Sequence, residues 1–229
     1  MVCELAVLNR ADGSAKWTQE NTSVMAAVYG PRQAMQRKED AEQAVIEVVF
    51  KPRSGIQGNK EKEYELIIRG ALEALVQRGL FPRTSIMVVL QVVADGGSLL
   101  SVALNAACAA LVDAGVPMSA CFASVTCAVG AQQGELLVDP EENEEQAAQA
   151  TVVCAFAVRY GLPADSSTAP PAQVDEGALI MHTWPGKGAA GTGAGAAGSD
   201  AAGKAAGSPD LGFSVDTLLD VLDVCRVGC

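Results

Sequence analysis

The chain has 229 residues, 49% of them apolar and only 4% aromatic, and carries a net charge of −11. That length gives room for one large domain or two small ones, with a core built mainly from Val, Ala and Leu. The acidity excludes a nucleic-acid binder working by bulk charge, the lack of an apolar run of about 18 residues excludes a helical membrane span, and the seven cysteines contain no C-x-x-C pair.

The charge is unevenly spread. Residues 1–138 hold 12 Lys/Arg against 14 Asp/Glu, and residues 139–229 hold 4 against 13. The first part is thus nearly neutral and has room for a local basic patch. With a lone histidine, His182, and cysteines mostly inside apolar runs, zinc ligation is not expected. Buried free thiols in a reducing compartment are expected instead. The N-terminus lacks a basic stretch leading into an apolar one, so a soluble, intracellular protein is expected.

In chain order, "TSVMAAVYG" (22–30) alternates and reads as a strand ending at the turn signal Gly30–Pro31. "PRQAMQRKEDAE" follows as a charged loop, and "QAVIEVVF" (43–50) as a second strand. "KPRSGIQGNKEK" (51–62) reads as a loop with four cations, Lys51, Arg53, Lys60 and Lys62. From Glu61 to Arg78, Tyr64, Ile68, Ala71, Leu72 and Leu75 share one helical face, with Gly79 as the stop signal. "SIMVVLQVV" (85–93) is almost continuously apolar, which predicts a strand buried on both faces.

An apolar helix follows, opened by Asp95-Gly96-Gly97-Ser98 and ending near Asp113–Pro117. "SACFASVTCAVG" (119–130), "GELLVD" (134–139), "TVVCAFAV" (151–158) and "GALIMHT" (177–183) read as strands, and "SVDTLLDVLDVC" (214–225) as an amphipathic helix. The organisation expected is a mixed α+β domain over 1–186, a low-complexity Ala/Gly loop or linker over 187–208, and a helix over 209–229 completing the domain.

Three features bear on chemistry. Gly97 and Ser98 open a helix, where backbone N–H groups can hold an anion, or where the glycines simply make a tight turn capped by Ser98. The acidic run "VDPEENEEQAAQ" (138–149) can supply paired carboxylates, or be a solvated first helical turn. The cations Lys51, Arg53, Lys60 and Lys62 can follow an RNA backbone, or belong to an ordinary solvated loop. Nothing places His182 near a nucleophile.

Four stretches, "NRADGSAKWTQENTSVMAAVYGP" (9–31), "KPRSG" (51–55), "PRTSIMVVLQVVADGGSLLSVALNAACAALVDAGVPM" (82–118) and "LLVDPEENEEQ" (136–146), resemble the RNase PH family in order and spacing, and within it the type that forms the ring of the eukaryotic RNA exosome. The resemblance implies a ribosomal-protein-S5-domain-2-like α+β fold, a mixed sheet flanked by helices. Active members of the family are phosphorolytic 3′–5′ exoribonucleases. Gly97 and Ser98 match the family's phosphate pocket, but its phosphate-binding arginine is Leu99 here. The two aspartates six residues apart fall on Asn143 and Gln149 when counted back from Val152–Val153.

The resemblance therefore implies a non-catalytic ring subunit, with no catalytic or metal-binding residue and no cofactor, supporting rRNA maturation and mRNA turnover. Its implied partners are other RNase PH-like ring subunits, S1/KH cap subunits and RNA, the last along Lys51, Arg53, Lys60 and Lys62. A homodimer in isolation and residence in nucleus, nucleolus and cytoplasm also follow, with no membrane partner. The alternative is a homodimeric phosphorolytic nuclease using Mg²⁺ and inorganic phosphate, with Ser98 and the acids at 139–145 retaining activity.

Overall fold

A computed structural model describes residues 1–130, 135–159, 173–185 and 220–225. The Ala/Gly segment 187–208 lies outside these residues, as do 214–219 of the expected last helix.

Among the described residues, nine strands form two sheets around a central helix. The first sheet contains β1 (Val2–Leu5), β2 (Gly13–Gln19), β3 (Thr22–Gln33), β4 (Val45–Lys51) and β5 (Thr84–Ala94), in the order β1-β2-β3-β5-β4. It is mixed, because β4 runs parallel to β5 while the other pairs are antiparallel. The β4–β5 crossover carries helix α1 (Asn59–Leu75). The second sheet is antiparallel and contains β6 (Cys121–Val129), β7 (Leu136–Val138), β8 (Ala150–Arg159) and β9 (Gln173–Pro185), in the order β7-β6-β8-β9. Helix α2 (Leu99–Asp113) joins the sheets, a short α3 (Glu142–Ala147) separates β7 from β8, and residues 220–225 form a helical turn, α4.

The sequence of α2 explains its place. Leu100, Val102, Ala103, Leu104, Ala106, Ala107, Ala110 and Leu111 are all buried, as befits a helix apolar on nearly every side. It packs against β2 and β3 of one sheet and β6 and β8 of the other. Its alanines let both sheets approach closely. A polar row on one side of it, Ser98, Ser101 and Asn105, has the i, i+3, i+7 spacing that stacks side chains on one face. Asn105 Nδ2 donates to the Ser124 carbonyl at 2.9 Å and its Oδ1 accepts the Ser124 N–H at 2.8 Å. Thr126 Oγ1 meets Ser101 Oγ at 2.9 Å, and Ser101 Oγ donates to the Ser98 carbonyl at 2.8 Å. These buried groups satisfy one another and set the register of α2 on β6.

Several expectations are corrected. β3 does not stop at Gly30–Pro31 but continues through a cis Gly30–Pro31 bond to Gln33, with an irregularity in its pairing there. The apolar face of α1 is as expected, yet the helix spans Asn59–Leu75 and its C-cap is Val76; Gly79 belongs to a separate 3-10 turn, Arg78–Leu80. Lys60 and Lys62 consequently lie in the first turn of a helix rather than in a loop. β5 buries only one face: Ile86, Val88, Leu90 and Val92 point inward, while Met87 and Val93 are exposed. The strands at 1–19, the first with its four residues exposed, were not anticipated from periodicity.

Candidate functional site

The end of β5, the start of α2, α3 and the aromatic residues of α1 and β9 surround a cavity of about 300 Å³. Its walls include Lys60, Tyr64, Asp95, Ser98, Leu99, Thr126, Glu142, Glu145, Thr151 and Trp184.

The floor is the glycine turn. Thr22 of β3 holds both sides of it: Gly96 N–H donates to Thr22 Oγ1 at 3.0 Å, and Thr22 Oγ1 donates to the Gly97 carbonyl at 2.6 Å. Gly97 has φ +117°, a region that favours glycine, and any side chain there would overlap the backbone at Pro140–Glu142. Glu142 N–H donates to the Gly96 carbonyl at 2.9 Å. The paired glycines therefore let the acidic segment lie directly against the N-terminus of α2.

Ser98 does not cap the helix as expected. It is in the left-handed region, φ 51°, and makes no side-chain capping bond. Its hydroxyl donates to the Pro140 carbonyl at 3.1 Å, which ties α2 to the segment before α3. Its backbone N–H, the group that would receive an anion, donates to Glu145 Oε1 at 2.7 Å. A carboxylate of the chain itself thus fills the anion position at a helix N-terminus, where the orphan amides and the helix dipole favour negative charge. Burial raises the Glu145 carboxyl above its ordinary value, partly opposed by the Ser98 hydrogen bond and by Lys60.

The acidic run divides accordingly. Glu141 and Glu144 form a reciprocal capping box at the start of α3 and face solvent, as an ordinary first helical turn does. Glu145 is half-buried in the cavity, and Asp139 is partly buried with burial raising its carboxyl.

Asn143 and Gln149 are not the cavity-facing positions. Asn143 is exposed on α3, and Gln149 gives its N–H to the Val129 carbonyl; neither lines the cavity. Glu145 and Thr151, also six apart, do line it. Two residues of register separate the pairs, and the direction in which α3 presents its side chains decides between them. Leu99 does line the cavity beside Ser98, adding an apolar group to its wall. Among the described residues, three carboxyl groups, Asp95, Glu142 and Glu145, and one ammonium, Lys60, line the cavity.

The four basic residues do not form one row. Lys51 and Arg53 are exposed at and just past the end of β4, and Lys60 lies at the cavity, 5.7 Å from the centre of the Tyr64 ring. Lys62, two residues on and so on another side of α1, faces a separate groove with Lys38, Glu47 and Arg69.

An aromatic wall was missed by the sequence reading. Phe50 and Tyr64 meet edge to face at 5.5 Å, Tyr64 and Trp184 at 5.8 Å, and His182 stacks on Trp184 at 4.1 Å. His182 Nε2 also lies 3.4 Å from Glu63 of α1, so the lone histidine anchors β9 to α1. The signal for this wall was the His-Thr-Trp spacing, which puts both rings on one face of a strand. Its partner Tyr64 is 120 residues away and invisible to any local pattern.

A mixed five-stranded sheet and an antiparallel sheet clasping one apolar helix, with a glycine turn lying against an acidic segment, define an α+β unit whose cavity sits where the turn, α3 and the aromatic wall meet. Residues 1–117 match domain 1 of the 3′ exoribonuclease family, RNase PH, and the chain belongs to that family. It is 41% identical over 185 residues to the exosome complex exonuclease RRP46 homolog of Arabidopsis thaliana, covering 80% of this chain and 77% of that protein. The crystal structure of Rrp46 from rice (Oryza sativa) is 42% identical and superposes with a TM-score of 0.65, over 67% of this chain and 74% of that one. The Archaeoglobus fulgidus exosome with RNA bound to the active site gives a TM-score of 0.66 over 99% of this chain and 85% of that one; at 18% identity this is a likeness of fold.

Proposed function

We propose that this chain is an RNase PH-type ring subunit of an RNA exosome, acting in RNA processing and degradation by pairing with other RNase PH-like subunits and contacting RNA rather than by cutting it. The family membership and the relatives named as exosome components support the assembly. The observation that carries the non-catalytic part is the 2.7 Å bond from the Ser98 amide to Glu145. Inorganic phosphate does not fit a pocket whose best anion donor is already taken by a carboxylate, whose neighbour is Leu99 and whose walls hold three carboxyl groups. Electrostatic stabilisation of a phosphate nucleophile needs preorganised donors or cations, and this cavity offers the reverse sign. Lys51, Arg53 and Lys60 are the residues proposed to touch RNA phosphates, with a salt-sensitive, sequence-independent contribution. Lys62 is left out of that set because of the groove it faces.

The second reading, a phosphorolytic nuclease, is favoured by one observation: Glu145 places a carboxylate, and Lys60 a cation, in the same cavity. The two readings part in one experiment. The full chain is incubated with 3′-tailed RNA, Mg²⁺ and inorganic phosphate, beside a Glu145→Ala protein. No nucleoside diphosphate is expected from either, while RNA binding weakens steeply with salt and is reduced by Lys60→Ala. Phosphate-dependent diphosphate release that Glu145→Ala abolishes would overturn the non-catalytic reading.

A further inference from the structure

A cluster of thiols lies on the opposite face of the second sheet from the cavity, the face turned away from α2. Cys127 of β6, Cys154 of β8 and Cys225 of α4 are all fully buried there, among Val125, Val152, Phe156 and Val221. β6 and β8 are adjacent strands in which Cys127 stands opposite Val152 and Cys154 opposite Val125, so the two strand thiols are diagonal neighbours on one face. α4 places Val221 and Cys225, one helical turn apart, upon them. Cys127 Sγ and Cys225 Sγ are 2.7 Å apart, and Cys154 lies in the same buried cluster.

This arrangement has no part in the cavity. The sulfur of Cys225 on α4 meets that of Cys127 on the strand beneath it. Among the described residues no group has the arrangement of a metal site, so the cluster is read through thiol chemistry.

We propose that Cys127 and Cys225 form a reversible disulfide that fastens α4 to the second sheet under peroxide oxidation. One thiolate attacks the peroxide oxygen, giving a sulfenic acid and releasing one water; the other sulfur displaces the sulfenic oxygen as a second water. Two thiols and one hydrogen peroxide thus become one disulfide and two waters. The reverse step is exchange with a dithiol, which is itself oxidised. The two Sγ atoms already lie 2.7 Å apart, so the partners of the bond are in reach of each other in the closed state. Being buried, they react when α4 lifts locally from the sheet, and the bond then holds it down. The cross-link joins positions 98 residues apart, so it restrains the unfolded chain strongly and raises the melting temperature.

The test uses the full chain, reduced, then exposed to hydrogen peroxide, alkylated and denatured. Two of its seven thiols are expected to disappear, with tandem mass spectrometry locating a Cys127–Cys225 bond. The oxidised protein is expected to melt higher than the reduced one, a gain that dithiothreitol reverses. A Cys154→Ser protein is expected to form the same bond. Retention of all seven thiols would overturn the proposal. So would a bond from Cys225 to Cys154, a bond between Cys108 and Cys121 instead, or only intermolecular cross-links through the exposed Cys3. The wild-type measurement stands whether or not a Cys225→Ser protein folds.

Discussion

β5 and β6 make an instructive pair. The run "SIMVVLQVV" of β5 is nearly all large aliphatic residues, yet Met87 and Val93 on its outer face are 39% and 45% exposed. β6 is written in smaller and more polar residues, Ser124, Thr126 and Cys127 among them, yet all three are buried. The difference lies in what covers each strand. On the outer face of β5, Met87 and Val93 stay open to solvent. β6 has α2 on one side, against Phe122, Ser124 and Thr126, and α4 on the other, against Val125, Cys127 and Val129. Hydrophobicity indicates that a face can be buried; only a distant element decides whether it is.

Substitutions on the two strands and their neighbours can break that contrast. The largest effect is expected at Phe156, 1% exposed beneath α4: Phe156→Ala should cost about 3–5 kcal/mol in denaturant unfolding. Hydrogen exchange should also show α4 losing protection. A loss below about 1 kcal/mol would mean that α4 does not seal the second face of the sheet. Next is Asn105→Ala, which strands the buried N–H and carbonyl of Ser124 and should cost about 1–3 kcal/mol. An Asn105→Ala protein as stable as wild type would show that water, not the helix, satisfies β6.

Glu145 sharpens the contrast by charge. Burial raises its carboxyl above the ordinary value of 4.5, so the folded chain holds that proton more tightly than the unfolded chain. The stability of wild type relative to Glu145→Gln should therefore be greatest below 4.5, fall as pH rises from 4.5 to the raised value, and level off above it. A difference that does not vary with pH, followed by thermal melts of both proteins, would remove Glu145 from the buried side of the contrast. The smallest effect is expected on the outer face of β5: Met87→Lys should stay within about 0.5 kcal/mol of wild type in the isolated chain. A large loss there would reveal a cover on that face after all.

Much of the candidate site could be read in advance, and its limits are physical. The glycine pair, Ser98 and Leu99 are local, and they stand where a strand-to-helix turn must put them. The second carboxylate-type position could be read only to within two residues. Asn143 and Gln149 carry the six-residue spacing as well as Glu145 and Thr151 do, and spacing alone does not say which way a short helix turns its side chains. Lys60 and Lys62 looked alike in a charged stretch, but once α1 begins at Asn59 they part to different sides of it.

What the sequence by itself determined are the features with a short physical range. The apolar face of α1 follows from its period, the all-round burial of α2 from its composition, and the tight turn before it from Gly96 and Gly97. The tertiary structure alone decided that Glu145 meets the Ser98 amide from 47 residues away, that Trp184 meets Tyr64, and that Cys225 meets Cys127. A local pattern records which side of an element avoids water. Which partner fills that side depends on how the two sheets close on α2, and that closure is a property of the whole chain.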